Sequence, residues 1–464
     1  MNEKFRKYVF NSYLLLQKEL FRSPEPVKTT VVSSFTDTPA LQQIARQADS
    51  DYILFYTGTS PIELHPYAIG RMYQIAESND GALFYSDYQE IRQGKKIHHP
   101  TLEYQTGSIR NDFDFGQLLL FRNDSFQQVV AQMNTDYRFA ALYELRLSIS
   151  RLGKIVHIPE TLYTVQPTDL RLSGEKQFDY VDPANREVQL EMEAVCTAHL
   201  QAIGAWLAPE FQRIDFGQEN FAREASVIIP VRNRKRTIAE AVESALQQQT
   251  DFSFNVIVVD NHSTDSTGQI LTELSRRYPN LIHHIPASTE LGIGGCWTEA
   301  ILLPECGKFA IQLDSDDLYK DCHVLQRIVD TFYQENCAMV IGSYQMVDFK
   351  LEEIPPGLIA HREWTPDNGR NNALRINGLG APRAFYTPVL RQIKFPNVSY
   401  GEDYATALAI SRKYPIARIY DPLYLCRRWE ENSDHDLDIQ QLNNYNFYKD
   451  KIRTLEIQAR ISGK

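Results

Sequence analysis

Dense runs of valine and isoleucine alternate with helical spacing through the second half of the chain. ASVIIPV (225–231) and FNVIVVD (254–260) have the nearly unbroken apolar character of strands buried on both faces of a parallel sheet. Between them RTIAEAVESALQQQ (236–249) carries apolar residues at helical spacing. After Asp260, NHSTDSTGQILTELSRRYP opens on capping residues and stops at a proline, which predicts a helix with a start and an end. LIHHI, a helix near 294–303 and FAIQL continue the alternation. The pattern predicts a doubly wound α/β unit, a fold that binds ligands at the carboxyl ends of its strands. Asp260 and Asp314 both stand at such ends.

The first half carries a weaker version of the same pattern. DYILFYTGTSP (51–61) matches KFAIQLDSDDL (308–318), and ALFYSDYQEI (82–91) matches AMVIGSYQMV (338–347). NTDYRFAALYELRLS (134–148) resembles GEDYATALAISRKYP (401–415), and IPETLYTV (158–165) resembles YDPLYLCR (420–427). Four blocks in one order predict an internal duplication. The copy is incomplete, because too little chain precedes its first helix to hold counterparts of VIIPV and VIVVD. The expected layout is an N-terminal helix over 1–29, the incomplete copy over 30–170, a helical linker over 171–222, the complete α/β domain over 223–435 and a C-terminal helix over 436–464. Within the linker, REVQLEMEAVCTAHLQAIGAWL (186–207) reads as one long helix bracketing the two halves.

Composition narrows the classes of function. The 464 residues are 43% hydrophobic and 23% charged, ordinary for a globular protein of two or three domains. A net charge of −11 argues against a nucleic-acid polymer as partner, since its phosphates would be repelled. The six cysteines form no C-x-x-C pair and have no histidine at zinc spacing, which fits free thiols in a reducing compartment. No apolar run approaches the roughly 20 residues that span a bilayer. The opening MNEKFRKYVFNSYLLLQKEL lacks the cleavage site of a signal peptide; its stripe suits a helix packed on the following domain or resting on a membrane surface. The expected location is cytoplasmic, with peripheral contact at the inner face of the membrane left open.

The chemistry-bearing stretch is FAIQLDSDDLY (309–319), which runs an apolar strand into Asp314, Asp316 and Asp317. Carboxylates crowded in this way raise one another's pKa unless a cation or ligand compensates. D-x-D occurs elsewhere, at Asp49–Asp51, Asp112–Asp114, Asp434–Asp436 and Asp436–Asp438, but only the 314–316 copy follows a strand of the α/β unit. Two carboxylates at a strand end can hold one hard cation that also grips a diphosphate. The bland alternative is a solvated acidic turn. A second acidic pair, Glu402–Asp403 in GED, stands where a helix begins and equally suits favourable charge at a helix start.

Taken together and in order, VIIPVRNRKRTIAEAVESALQQQ, VIVVDNHSTDST, LDSDD and GED resemble the inverting family 2 glycosyltransferases of GT-A fold. The resemblance covers 223–435 well and 30–168 as a degenerate copy. It implies a Rossmann-like, nucleotide-diphospho-sugar transferase domain preceded by an incomplete GT-A-like copy. It implies that Pro230 and Val231 border the nucleobase and that Asp260 contacts the base or ribose. Asp314, with Ser315, would lie near the ribose and metal, and Asp316 would be the main ligand of Mg²⁺ or Mn²⁺. Gly292, in the cluster 292–295, would let backbone approach the donor. Asp403 matches the catalytic base with Glu402 beside it, and Arg383 in NGLGAPRAFY (377–386) is the candidate acceptor contact. The implied partners are a nucleotide-diphosphate sugar, UDP-sugars being commonest, and a glycan or lipid-linked acceptor in cell-surface polysaccharide synthesis. The chain departs from the family where Glu290, Trp297 and Thr298 replace a frequent asparagine segment. It departs again where Trp429 stands in the place of a metal-binding histidine, for which His435 is a substitute candidate. Arg427 and Arg428 suit either a diphosphate clamp or a structural role.

Two other classes compete. A haloacid-dehalogenase-type phosphatase also places D-x-D after a strand, but needs glycine next where this chain has Asp317, and uses its first strand. A non-catalytic scaffold of the same fold is the second, and the N-terminal copy already leans that way, with Thr57 and Thr59 in place of Asp314 and Asp316.

Overall fold

The structure, a computed structural model, describes residues 29–32, 37–58, 61–166, 186–217, 219–362, 364–429 and 437–463. The helix expected over 1–29 lies outside these residues except for Thr29, which opens a strand, and His435 lies outside them as well. The chain forms two compact units: Met1–Trp206 together with Leu437–Lys464, and Leu207–Asp436.

The first unit runs β1 (Thr29–Val32), α1 (Thr38–Gln47), β2 (Tyr52–Tyr56), β3 (Ile62–Leu64), α2 (Ala68–Ser78), β4 (Gly81–Arg92), β5 (Lys95–His99), β6 (Leu118–Arg122), α3 (Asn123–Val130), α4 (Ala141–Leu152), β7 (Lys154–Val165) and α5 (Arg186–Ala202). Its sheet has the order β1-β2-β6-β4-β7-β3, with β5 on β4. Strand alternation divides the core between two faces. Leu54, Phe84, Leu120 and Tyr163 pack toward Met72 and Tyr73 of α2. Ile53, Phe55, Leu83 and Phe121 pack toward Leu41 of α1, Phe126 of α3 and Leu145 of α4.

The second unit runs β8 (Ala225–Val231), α6 (Ile238–Leu246), β9 (Phe254–Asp260), α7 (Thr267–Arg277), β10 (Leu281–His284), α8 (Ile293–Leu302), β11 (Phe309–Gln312), β12 (Leu318–Tyr319), α9 (Val324–Glu335), β13 (Met339–Val347), β14 (Glu353–Ile359), α10 (Gly369–Asn372), β15 (Arg383–Tyr386), α11 (Thr387–Ile393), α12 (Glu402–Ser411) and β16 (Ile416–Arg427). The sheet order is β10-β9-β8-β11-β15-β13-β16-β12, with β14 on β13. The first four strands are mutually parallel, whereas β15 runs antiparallel between β11 and β13. Val227, Ile228, Ile229 and Val256–Val259 are wholly buried, as the unbroken apolar runs require.

The last helix, α13 (Ile439–Ile461), belongs to the first unit. Its Asp450 is fully buried and meets Arg110 Nε at 3.2 Å, Arg453 Nη1 at 2.8 Å and the hydroxyl of Ser108 at 3.0 Å. Nor do residues 171–222 act as one linker. Within them α5 packs on α4 of the first unit, where Glu191 accepts the backbone N–H groups of Phe139 and Ala140 at 2.7 and 3.0 Å. Residues from Leu207 onward belong to the second unit.

The two sheets share one strand plan. β1-β2-β6-β4-β7-β3 repeats β8-β11-β15-β13-β16-β12 in order and in the sense of every pair, and β5 answers β14. The expectation that no counterpart of VIIPV exists is therefore corrected. β1 pairs with β2 in the register of β8 on β11, Thr29↔Tyr52 against Ala225↔Phe309, because a four-residue strand fits where a seven-residue one did not. Counterparts of β9 and β10 are absent among the described residues. The equivalence of NTDYRFAALYELRLS with GEDYATALAISRKYP is corrected too. The β7 and β16 registers align Tyr143 with Tyr404, and each donates its hydroxyl to a loop carbonyl, of Ile109 and Ala373 respectively. The earlier match slid by six residues, about 1.7 helical turns, which rotates the helix face by roughly 120°.

Candidate active site

Three parallel strands end side by side. Val231 pairs with Asp260 as the last residues of β8 and β9, and the N–H of Asn261 donates to the Val231 carbonyl at 2.8 Å. Pro230, one residue earlier, is half-buried. The loops after these strands are sewn together: Asn233 N–H donates to Ser263 Oγ at 2.9 Å, Thr264 N–H to Asn233 Oδ1 at 2.7 Å, and Arg234 N–H to Thr267 Oγ1 at 2.8 Å. Asn233 and His262 take left-handed backbone, φ 55° and 56°, a conformation costly for histidine and better tolerated by asparagine.

Asp260 is 3% exposed, with both oxygens engaged. Oδ1 accepts the Ser263 N–H at 2.9 Å, and His283 Nε2 stands 3.3 Å from Oδ2. Burial raises its pKa, but these partners outweigh burial and hold the carboxyl below the usual range. A cleft of about 750 Å³ opens beside it, lined among others by His262, Thr264, Gln269, Arg276 and His283.

β11 delivers the acidic turn. Gln312, the one polar residue of FAIQL, donates from Nε2 to Asp314 Oδ1 at 2.9 Å and accepts the backbone N–H of Arg383 on Oε1 at 3.1 Å. The Asp314 N–H donates to the Tyr424 hydroxyl at 2.8 Å. Ser315 is buried, and Asp317 accepts the Arg427 N–H at 2.8 Å. Arg427, 1% exposed, also donates to the carbonyl of Asp316 and pairs with Glu240, so it holds the turn from behind. Asp316, partly exposed like Asp314, accepts the Trp429 indole N–H on Oδ2 at 3.1 Å, with Arg234 Nε 3.9 Å away. Burial lifts the Asp314 carboxyl above its ordinary range, with Arg383 and Gln312 opposing and Asp316 adding. Burial lifts Asp317 further, and the charges of Asp316 and Asp314 add to it. Burial and like charge thus leave Asp314 and Asp317 short of positive charge, while among the described residues no group of three or more His, Cys, Asp or Glu side chains converges to hold a metal ion.

Glu402 and Asp403 are the first two residues of α12, entered through Gly401 at φ 79°. Asp403 pairs with Arg383, the first residue of β15. Burial opposes the Arg383 charge, but Asp403, Asp314 and Glu402 outweigh it and raise its pKa. Gln312 and Arg383 thus link the acidic turn to Asp403. Glu402 is 8% exposed with Oε2 lacking any hydrogen bond, and burial followed by the Asp403 charge pushes it up to about 8.

The glycine cluster packs closely on protein backbone. Cβ atoms added at Gly292 or Gly294 would run into the backbone of Val398 or Pro396, at 2.6 Å from the Val398 carbonyl carbon in the first case. Gly292 N–H donates to Asn397 Oδ1 at 2.8 Å and Gly294 N–H to the Val398 carbonyl at 2.9 Å. These glycines seat the segment that leads into Glu402 and Asp403. Gln312, Tyr424, Arg234 and Asn397 were missed by the sequence reading; only Gln312, a lone polar residue in an apolar strand, carried a signal. Among the described residues no helix is long and apolar enough to cross a membrane.

The first unit keeps the scaffold without these groups. Sheet registers put Thr57 at the place of Asp314 and Leu119 at that of Arg383, and the helix alignment puts Ala141 and Leu142 at those of Glu402 and Asp403.

The second unit therefore sets a strand-end acidic turn and a helix-borne carboxylate in one hydrogen-bonded site on its sheet. Residues 226–393, all within the second unit, match the model of "Glycosyl transferase family 2". A relative, the poly(ribitol-phosphate) beta-glucosyltransferase of Bacillus spizizenii, is 25% identical over 230 residues, 48% of this chain and 35% of its own. The minor teichoic acid biosynthesis protein GgaA of Bacillus subtilis is 33% identical over 111 residues, 23% of this chain and 24% of its own. Among solved structures, S. aureus TarS 1–349 in complex with UDP-GlcNAc aligns over 51% of this chain and 72% of that one, with 23% identity and a TM-score of 0.39. The chain thus spans about a third or less of these two curated relatives.

Proposed function

We propose that the second unit transfers a sugar from a nucleoside-diphosphate donor to a hydroxyl of a glycan or lipid-linked acceptor, with inversion at the anomeric carbon. The observation that carries this reading is the bridge of Gln312 and Arg383 between Asp314 and Asp403, which puts a donor-side turn and a carboxylate base in one site. Val231, Pro230 and Asp260 border the nucleobase and ribose; Asp314 and Ser315 lie by the ribose; Asp314 and Asp316 would hold the divalent cation. When bound, Mg²⁺ or Mn²⁺ supplies the positive charge that stabilises a departing diphosphate.

Asp403 takes the proton of the acceptor hydroxyl. Its pairing with Arg383 keeps it aimed, and Arg383 is also the candidate acceptor contact. Glu402, lifted to about 8, carries its own proton at neutral pH and leaves the base role to its neighbour. One relative is named for glucosyl transfer to poly(ribitol-phosphate) and another for minor teichoic acid biosynthesis, so hexose and N-acetylhexosamine donors, UDP-sugars first, and cell-surface polysaccharide acceptors are the ones to test. The first unit, with Thr57, Leu119, Ala141 and Leu142 at the corresponding places, performs no transfer and serves packing, acceptor or partner contacts.

The test compares Asp403→Asn with Glu402→Gln in an assay of nucleoside diphosphate release, with donor affinity measured by calorimetry. Asp403→Asn should lose about 10²–10⁴ in turnover at nearly unchanged donor affinity. Full turnover in Asp403→Asn with a dead Glu402→Gln would move the base by one residue, and indifference to both would remove the catalytic role of this pair.

A further inference from the structure

Trp429 follows β16 and is 7% exposed, and its indole N–H donates to Oδ2 of Asp316 at 3.1 Å. The ring is held from several sides. Phe349 meets it edge-on with centroids 5.1 Å apart, and the Arg236 guanidinium lies 4.8 Å over it. Arg234 stands 5.9 Å over the same ring, and its Nε is the group 3.9 Å from the same oxygen. Arg427 closes the rear, with its guanidinium 5.0 Å over Phe349. An indole and a guanidinium therefore converge on one carboxylate oxygen of the acidic turn.

An indole N–H donates and has no lone pair with which to bind a cation. On the side of Oδ2 that it occupies, the indole therefore stands where a cation could bind. We propose that Trp429 is a positioning residue that holds Oδ2 of Asp316 in the nucleotide-free protein and yields it to a divalent cation, turning Arg234 and Arg236 toward the diphosphate as the stack opens. This rests on the reading of Asp316 as a cation ligand. The indole hydrogen bond orients the carboxylate and offsets its charge until then, and Arg236 over the ring face keeps the indole in reach.

The experiment uses the full chain labelled with 5-fluorotryptophan, whose four tryptophans, Trp206, Trp297, Trp364 and Trp429, give four ¹⁹F resonances. Trp429→Phe identifies one of them, and that resonance should shift on addition of Mg²⁺ with UDP, while Asp316→Asn should abolish the response. Should Trp429→Phe fail to fold, the loss of response in Asp316→Asn identifies the resonance by itself. In calorimetry with UDP present, Trp429→Phe should bind Mn²⁺ about tenfold tighter, since one hydrogen bond to a charged group no longer competes. A merely structural tryptophan would give weaker or unchanged binding, and either result overturns the proposal. Mn²⁺ binding in the parent protein with an unmoved Trp429 resonance overturns it as well, while leaving the cation site standing. No Mn²⁺ binding in the parent, with or without UDP, removes the cation reading itself and this inference with it.

Discussion

Replacing Gly294 with alanine tests whether the glycine cluster serves the catalytic helix or the donor. The N–H of Gly294 donates to the Val398 carbonyl at 2.9 Å, so α8 and the 396–399 segment lie in direct backbone contact. A Cβ there would sit 3.1 Å from the Pro396 carbonyl carbon, well inside 3.0 Å of its oxygen, and 3.0 Å from Cβ of Glu402. Backbone cannot swing aside as a side chain does, so the segment must retreat by about 1 Å or less, at the roughly 1–3 kcal/mol typical of overpacking. The displaced segment enters α12, and a misplacement of about 1 Å at a reacting group costs on the order of 10²-fold in rate. Asp260, Asp314 and Asp316 lie on other elements and should keep their donor affinity. Chemical unfolding, turnover and calorimetry with UDP and Mn²⁺ would be run on one preparation. Gly70→Ala is the control: nothing lies within 4 Å of its added Cβ, and in α2 it should be neutral or stabilising by up to about 1 kcal/mol. Unchanged turnover in a destabilised Gly294→Ala would refute the reasoning, and so would a parallel loss of donor affinity, which would return the cluster to the donor side.

Other expectations follow from single groups. Glu402 has a folded pKa of about 8 against an ordinary 4.5, so the native state holds a proton the unfolded chain releases; stability of the nucleotide-free protein should fall between about pH 4.5 and 8, at up to about 1.4 kcal/mol per pH unit. Glu402→Gln should flatten that slope and be the more stable form at pH 8, as read by urea unfolding at several pH values. Asp450→Ala leaves Arg110 and Arg453 buried without their shared carboxylate and should cost about 3–5 kcal/mol, seen as an early transition of the first unit in proteolysis. Thr57→Asp should create no Mn²⁺ site in the first unit, and metal binding measured on a background of Asp314→Asn and Asp316→Asn would contradict that.

Much of the second unit was legible because its signals are local. Unbroken Val and Ile runs mark strands that need no partner to be recognised, and a strand ending in Asp314–Asp317 states its chemistry in four residues. What escaped depends on residues distant in the chain. The four residues of β1 look like loop until β2 supplies hydrogen bonds, and α13 joins the first unit through Asp450 more than 300 residues from Arg110. The glycines of 292–295 showed that something must approach closely, but not that Pro396 and Val398 do so. Trp429 could be seen as a departure from a pattern; its hydrogen bond to Asp316 could not.

The two sheets of this chain form an internal comparison of what a scaffold contributes and what the groups upon it contribute. Strand order, pair sense and the tyrosine in the first turn of the helix that leads into β7 or β16 are the same in both. Where the second unit opens an acidic turn, the first fills the space with its own side chains. A Cβ at Gly58 would stand 2.5 Å from the Tyr56 hydroxyl and collide with Gln117 Oε1. The N–H of Gln117 donates to the Tyr163 hydroxyl at 2.7 Å, at the sheet position of Tyr424, which in the second unit accepts the Asp314 N–H instead. One tyrosine in one register thus steadies a catalytic-type turn in one sheet and a plug in the other. The bridge is lost in parallel, since Phe55 replaces Gln312 and Leu119 replaces Arg383, so a restored Thr57→Asp would meet apolar neighbours and no guanidinium. The proposed transfer calls for the turn, the glutamine bridge, the arginine and the helix carboxylates together, and a sheet without them remains a sound sheet because none of them holds its core.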